Sequence, residues 1–228
     1  MEWLPGFAAT LNPGSVYFLE LGFNGNGNMD YVSGLSSPEA ENCPRSADIN
    51  DPIGPPVNNE WSKPLGTGVS QWPDNAVYNW PLNCILLDPL AQWFQNAANR
   101  DVFAWISHTF THEDLENATF HDADIQVSFN YQHAQLLGLT ESSRWSNKTF
   151  IPPSISGMHN GDALRAVYGN GIIGGVGDST RPALVNQQNP NWPVITTESA
   201  NGFAGYAIIP RAASRIYYNV YVSLLLLS

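Results

Sequence analysis

Short apolar runs alternate along this chain with helical patterns and with polar segments rich in glycine and asparagine. Apolar runs of strand length predict strands at residues 15–21, 102–106, 149–151, 172–176 and 194–196. Apolar positions at helical spacing, together with capping residues, predict helices at residues 88–99, 122–138 and 162–168. Strands that alternate with helices are typical of α/β proteins. We therefore expect a (β/α) barrel-like parallel sheet, with a flavodoxin-like open sheet as the alternative.

Polar side chains directly follow the predicted strands. Residues 24–30 follow the first strand, His108 follows the second, residues 154–159 the third and Asp178 the fourth, while Glu198 follows the last. In a β/α barrel, the loops after the carboxyl ends of the strands build the active site. These positions are therefore the expected location of the site.

Residues 33–80 are dense in proline, glycine, serine and asparagine, which predicts a long irregular loop insertion. Its Trp61, Trp72 and Trp80 either stack on sugar rings or pin the loop to the domain by burying apolar area. Cys43 and Cys84 either form a disulfide or are two separate buried thiols. A disulfide between them would close a loop of about 40 residues and contribute roughly 3–4 kcal/mol.

The composition limits the classes of partner. Apolar residues make up 43% of the chain and charged residues only 13%, and the net charge is −11. The negative charge disfavours nucleic acid or an anionic membrane surface as the main partner. Because no run reaches the roughly 18–20 apolar residues of a membrane span, we expect none.

Several features are typical of a secreted or cell-wall-associated glycoprotein. Asparagine, serine, threonine and aspartate supply the solubility, and glycosylation sequons lie at Asn117 and Asn147, although chance matches are the alternative. The first residues do not form a signal peptide, since Glu2 and Pro5 interrupt that pattern. We therefore expect residues 1–228 to be a single domain from a longer chain, lacking N- and C-terminal parts.

The histidines cluster in one part of the chain, at His108, His112, His121, His133 and His159. His108 and His112 are four residues apart just past a predicted strand, and they face the same way if the segment turns helically. Such a pair suits a divalent metal of the zinc type, with a carboxylate as third ligand. Two surface or capping histidines are the alternative interpretation, and Asp30 is either that third ligand or a turn-forming residue.

Four segments together resemble a known family. His108-Thr109-Phe110-Thr111-His112 is similar to the H-[S/T]-x-x-H motif of metal-dependent polysaccharide deacetylases of the NodB-homology type. With residues 20–28, 156–160 and 176–182, the chain resembles the secreted fungal exopolysaccharide deacetylases that act on galactosaminogalactan in biofilm matrix. The resemblance covers residues 17 to about 200.

The resemblance implies a hydrolase that removes N-acetyl groups from an amino-sugar polysaccharide by metal-activated water. It implies His108 and His112 as metal ligands, zinc as the metal, and Arg181 of Arg181-Pro182 as the residue that orients the catalytic base. The paired aspartates that include the base and the closing histidine motif that supplies the acid have no counterpart here. The barrel is therefore expected to be incomplete. The catalytic base and acid are unknown, which leaves the activity of this chain alone open.

Other polar residues have two interpretations each. Asn24 and Asn26 either donate hydrogen bonds to a sugar or buttress the site, and His159 either lines the substrate cleft or bonds to backbone. Asp178 either belongs to the site, where it orients a ligand in the substrate cleft, or has a structural role. His121 and His133 are expected to be structural, and residues 113–116 to form a solvated helix start.

Two other functions compete with deacetylation. A non-catalytic carbohydrate-binding module would explain the tryptophan-rich loop and the missing catalytic motifs. A glycosidase on the same barrel would need a carboxylate pair, for which Glu20, Asp178 and Glu198 are the candidates.

Overall fold

The computed structural model describes residues 6–7, 9–15, 17–49 and 62–211, so Trp61 and the C-terminal tail lie outside the described residues. Within this part of the chain a six-stranded sheet has the order β1-β2-β3-β4-β6-β5. Its strands are β1 Glu20–Phe23, β2 Ala104–Ser107, β3 Trp145–Phe150, β4 Gly174–Val176, β5 Val194–Ile195 and β6 Ala207–Ile209. All neighbouring pairs are parallel except β5–β6. The sheet forms a half-barrel with flanking helices, which confirms the expected incomplete barrel.

The helices connect these strands and cover the sheet. They are α1 Gly25–Ser33, α2 Pro38–Glu41, α3 Leu82–Ile85, α4 Pro89–Gln95, α5 Ala97–Arg100, α6 Phe120–Leu136, α7 Gly161–Gly169 and α8 Glu198–Asn201. Helix α6 leads from β2 to β3 and α7 leads from β3 to β4. Parallel strands joined in this way bring their carboxyl ends to one rim of the sheet. None of the helices formed by the described residues has the length and apolar character that a membrane span requires.

The loop expected after the first strand is instead helix α1 in the structure. Its Asn-Gly-rich sequence has poor helix propensity, so the sequence pattern predicts a loop there. In the structure, the Gly25 N–H donates to Asn130 Oδ1 at 2.8 Å, and the Asn26 N–H donates to the Phe110 carbonyl at 2.9 Å. These tertiary partners satisfy the first N–H groups of the helix, which outweighs the weak local propensity.

Two apolar clusters meet along α6. The first is rich in aromatic side chains and includes Trp72, Trp80, Phe110 and Phe129. The second lies between the sheet and α7 and includes Phe150, Leu164, Val167, Tyr206 and Ile208. Helix α6 buries residues in both clusters, because Phe129 packs in the first and Val127 in the second. Helix α6 therefore links the two clusters.

The long segment 33–80 is fastened to the domain at several points. Cys43 and Cys84 form a disulfide. Trp72 and Trp80 are buried in the first apolar cluster, so they pin the loop rather than offering their rings to a sugar. The buried carboxylate of Asp122 accepts from the Gln71 N–H at 2.7 Å and from the Trp72 N–H at 3.1 Å. The described parts of this loop, residues 33–49 and 62–80, are thus packed against the core beside α6.

Candidate functional site

The two histidines of the expected metal site lie side by side at the carboxyl end of β2. Their ring centroids are 4.6 Å apart and their planes are inclined by 77°. The segment does not turn helically as expected, because Thr109 and His112 have φ values of 64° and 63°. The rings meet because the backbone doubles back through these two left-handed residues. Such conformations are rare for residues other than glycine and are found where tertiary contacts enforce them.

Gln126 of α6 enforces this turn, which we call the histidine turn (residues 108–112). Its side-chain Oε1 accepts hydrogen bonds from the N–H groups of Phe110 and Thr111, both at 2.9 Å. Its Nε2 donates to the carboxylate of Glu113 at 2.8 Å. Gln126 is fully buried, so one neutral side chain satisfies backbone donors that would otherwise be left unpaired.

The His108 ring is oriented by β3. Its Nδ1 donates to the Ile151 carbonyl at 2.8 Å, because a carbonyl oxygen can only accept. This contact leaves Nε2 as the nitrogen that presents an electron pair. Burial lowers the pKa of His108, the hydrogen bond to Ile151 acts against it, and the neighbouring His112 adds to the lowering. A neutral imidazole held by a backbone carbonyl is the state in which histidine binds metals.

Asn24 and Asn26 buttress this rim. The Asn24 amide donates to the Thr109 carbonyl at 3.0 Å, which holds the histidine turn against the end of β1. The buried Asn26 exchanges two hydrogen bonds with the backbone of Ala47, at 2.7 and 3.0 Å. The structure therefore places Asn26 inside the protein, with its amide bound to the long loop instead of facing a cleft.

Arg181 and Asp178 lie after β4 on the same rim. The Arg181 guanidinium donates to the carbonyls of Ser154 and Ile155, at 3.0 and 3.1 Å, and lies 3.7 Å from the Asp178 carboxylate. Ser154 and Ile155 have φ values of 53° and 55°, so Arg181 supports a strained turn just past Ile151. Burial alone would raise the pKa of Asp178, but hydrogen bonds from Thr180 and the charge of Arg181 hold it below its usual range.

His159 lines a separate cavity of about 690 Å³ at this end of the sheet, together with Pro182 and Ser199. Its Nδ1 donates to the Ala200 carbonyl at 2.9 Å, as the backbone-bonding interpretation expects. Its Nε2 is buried and has no hydrogen-bond partner among the described residues. The ring thus bonds to backbone and also lines this cavity, while the interpretation that it lines the substrate cleft stays a prediction.

The acidic residues after His112 differ from the solvated helix start that the sequence predicts. Glu113 is buried on Gln126, and no helix begins there in the described chain. Burial, and then the charge of Asp114, raise the pKa of Glu116 to about 7, although Arg181 and the Gly157 N–H act in the opposite direction. Neither Gln126 nor Glu116 has a sequence signal, because their roles depend on side chains brought close by the fold.

The carboxylates proposed for other roles do not assemble into a site. Asp30 is exposed on α1, and no cluster of three or more His, Cys, Asp or Glu side chains able to hold a metal occurs within the described ranges. Glu20 begins β1, whereas Asp178 follows β4, so these two lie towards opposite ends of parallel strands. This separation argues against a glycosidase pair formed by Glu20 and Asp178.

Comparisons with known proteins agree with this architecture. The family model described as the Agd3 deacetylase domain matches residues 1–224. A solved structure, described as the crystal structure of Agd3, a novel carbohydrate deacetylase, matches with a TM-score of 0.89 and 46% sequence identity. The match covers 96% of this chain and 33% of that one, so this chain spans about a third of the length of its solved relative. None of the curated proteins compared with the chain matches it.

Proposed function

Since this chain belongs to the Agd3 deacetylase domain family, we propose that it removes N-acetyl groups from an amino-sugar polysaccharide. The observation that supports this chemistry best is the pair of imidazoles, 4.6 Å apart, at the carboxyl rim of the sheet. The matching solved structure is described as a carbohydrate deacetylase, which agrees with the substrate class. By the resemblance of residues 106–112 and 176–182, we further propose galactosaminogalactan as the polymer.

We propose that the imidazole pair holds a divalent metal, with zinc as the metal that such ligands favour. The donors fit this assignment, because His108 is fixed through Nδ1 and presents Nε2, and its pKa is lowered by burial. The described residues supply these two ligands, so the remaining ligands come from water or from parts of the protein outside the described ranges. When bound, such a metal would lower the pKa of a water and polarise the acetyl carbonyl.

The surrounding residues position this pair. Gln126 fixes the histidine turn through two backbone N–H groups, and Asn24 holds the same turn from β1. Arg181 supports the turn at residues 154–155, which follows the carbonyl that orients His108. In this proposal Arg181 acts by holding backbone in place.

We propose that the protein is secreted or associated with the cell wall. The Cys43–Cys84 disulfide supports this assignment, because such bonds persist in oxidising compartments and are rare in the cytosol. Asn117 and Asn147 are both exposed, as attachment of a glycan requires.

The test follows acetate release from N-acetylgalactosamine oligomers together with zinc binding by calorimetry. We expect a chelator to abolish acetate release and zinc to restore it. His108→Ala and His112→Asn should lose both activity and zinc binding, and asparagine is chosen at position 112 because it tolerates a left-handed backbone. His121→Ala is the matched control, since the Nε2 of His121, at the start of α6, bonds to the Pro73 carbonyl, and this variant should retain both properties.

Two results would contradict the proposal. Acetate release that is unaffected by chelation would exclude the metal. Zinc binding that is equal in the wild type and in both histidine variants would exclude this pair as its ligands, even if the chain alone were inactive.

A further inference from the structure

A second cavity, which we call the bulge cavity, opens where β3 departs from its neighbouring strand. The β2–β3 ladder passes from the pair Ile106–Ser146 to the pair Ser107–Phe150, so residues 147–149 bulge away from β2. The bulge cavity lies between this segment and α6, and its volume is about 360 Å³. That volume falls within the range of ligand pockets, roughly 300–1,000 Å³.

The walls of the bulge cavity combine aromatic rings with polar side chains. Tyr131 and Trp145 lie with their ring centroids 6.3 Å apart, and Tyr131 is 43% exposed as a residue. The exposed polar side chains of Gln132, Asn147 and Lys148 complete the lining. An accessible aromatic face beside amide and ammonium groups is suited to a ligand that is apolar on one face and rich in hydroxyl groups at its edge.

The indole of Trp145 provides an independent observation. Its Nε1 is buried and has no hydrogen-bond partner among the described residues. A buried donor left unpaired costs about 1–3 kcal/mol, and buried indole N–H groups usually find a partner. Trp145 lines the bulge cavity but its Nε1 is closed to solvent in the empty protein, so an acceptor atom of a bound ligand would supply the missing partner after a small movement of the surrounding side chains.

We propose that the bulge cavity binds one sugar residue of a polysaccharide chain. A hydroxyl or acetamide oxygen of the sugar would accept from the Trp145 N–H, and its C–H face would pack on Tyr131. The choice of a polysaccharide as ligand rests on the proposed deacetylase function. The bulge cavity is lined by neither His108 nor His112, so it is a second contact with the polymer. A second contact would raise the effective concentration of the chain at the histidine rim.

A glycan attached to Asn147 would be a second source of sugar for the bulge cavity. This residue lines the bulge cavity and begins a glycosylation sequon. Protein made in a bacterial host has no such glycan, so it presents an open cavity to added oligosaccharide. The same titration on glycosylated protein would show reduced binding if the attached sugar occupies the bulge cavity.

The experiment is a nuclear magnetic resonance titration of the unglycosylated His108→Ala protein with an N-acetylgalactosamine tetrasaccharide. The indole N–H signal of Trp145, assigned with Trp145→Phe, should shift in a saturable way. Trp72 is the internal control, because its indole nitrogen is also buried and unpartnered but it packs in the first apolar cluster. Its signal should not move. Trp145→Phe should weaken binding roughly fivefold, as expected for the loss of one hydrogen bond.

Tyr131→Ala provides a second variant in case Trp145→Phe perturbs folding, since Tyr131 is exposed on α6. It should weaken binding at least as much and leave the melting temperature unchanged. The proposal would be overturned if the Trp145 signal stayed fixed throughout the titration, or if all variants bound the tetrasaccharide with equal affinity. Either result would show that the bulge cavity does not bind the sugar. An intact Trp145 shift combined with no acetate release by the wild-type protein in the presence of zinc would contradict the deacetylase proposal alone.

Discussion

Removal of the Cys43–Cys84 bond should destabilise the protein by about 4 kcal/mol. The two cysteines are separated by 41 positions in the chain, and closing a loop of this size in the unfolded state gives that value in the chain-entropy model. The variant is Cys43→Ala/Cys84→Ala, and the free energy of unfolding is measured in urea. Both cysteines are buried in the first apolar cluster, so their truncation adds a small packing loss to the expected value.

The single variants provide a matched control. Cys43→Ala and Cys84→Ala each break the same bond, so either should be about as unstable as the double variant. The urea dependence should also steepen, because an uncrosslinked unfolded chain exposes more surface. A double variant within about 1 kcal/mol of the oxidised wild type would refute the reasoning, since the loop-closure contribution would then be missing.

The same bond should influence the histidine turn. The crosslinked loop delivers Trp80 against Phe110, with ring centroids 4.8 Å apart, and the Phe110 N–H is bonded to Gln126. Loss of the disulfide should therefore weaken zinc binding as well as stability. Zinc affinity that is unchanged in the folded double variant would show that the histidine turn is held without the crosslinked loop.

Three further outcomes are expected. Arg181→Lys keeps the charge but loses the two-pronged contact with Ser154 and Ile155. Acetate release should fall roughly tenfold, and the free energy of unfolding should fall by about 1–2 kcal/mol, as expected for the lost hydrogen bonds. Glu116→Gln should stabilise the protein above pH 7 by up to about 3 kcal/mol, measured by urea unfolding. Folding raises the pKa of Glu116 from 4.5 to about 7, so stability of the wild type falls as pH rises through that window. Burial lowers the pKa of His133 from 6.5 to about 3, so the unfolded chain takes up a proton at a higher pH than the folded protein does. The free energy of unfolding should therefore fall by up to about 5 kcal/mol as the pH drops from 6.5 to about 3. A His133→Gln variant should lack this pH dependence.

Regular elements with strong local patterns could be predicted from the sequence. The helix expected at residues 122–138 is α6 Phe120–Leu136, since Thr119 caps its start and Gly138 follows its end with a φ of 74°. Helix α1 was not predicted, because partners from α6 and the histidine turn stabilise it. Strand β6 Ala207–Ile209 was not predicted either.

The candidate site likewise has features that the sequence predicts and features that it does not. The spacing of His108 and His112 correctly predicts neighbouring rings, but the expected helical turn is wrong, since two left-handed residues produce the contact. The supporting role of Gln126 could not be predicted, because a glutamine in a helix looks like any exposed polar residue until the fold buries it. The same holds for Glu116, because its pKa is raised first by burial, which only the folded structure produces.

The neutrality of Gln126 has a consequence for enzymology. An amide side chain carries no charge at any pH at which the protein folds, so its two bonds to the backbone of Phe110 and Thr111 persist when nearby imidazoles gain or lose protons. The hydrogen bonds from Gln126 that hold the histidine turn therefore do not depend on the protonation of these imidazoles. A bell-shaped activity profile for this protein should accordingly report proton transfer at the reacting groups, with no contribution from a collapsing active-site loop.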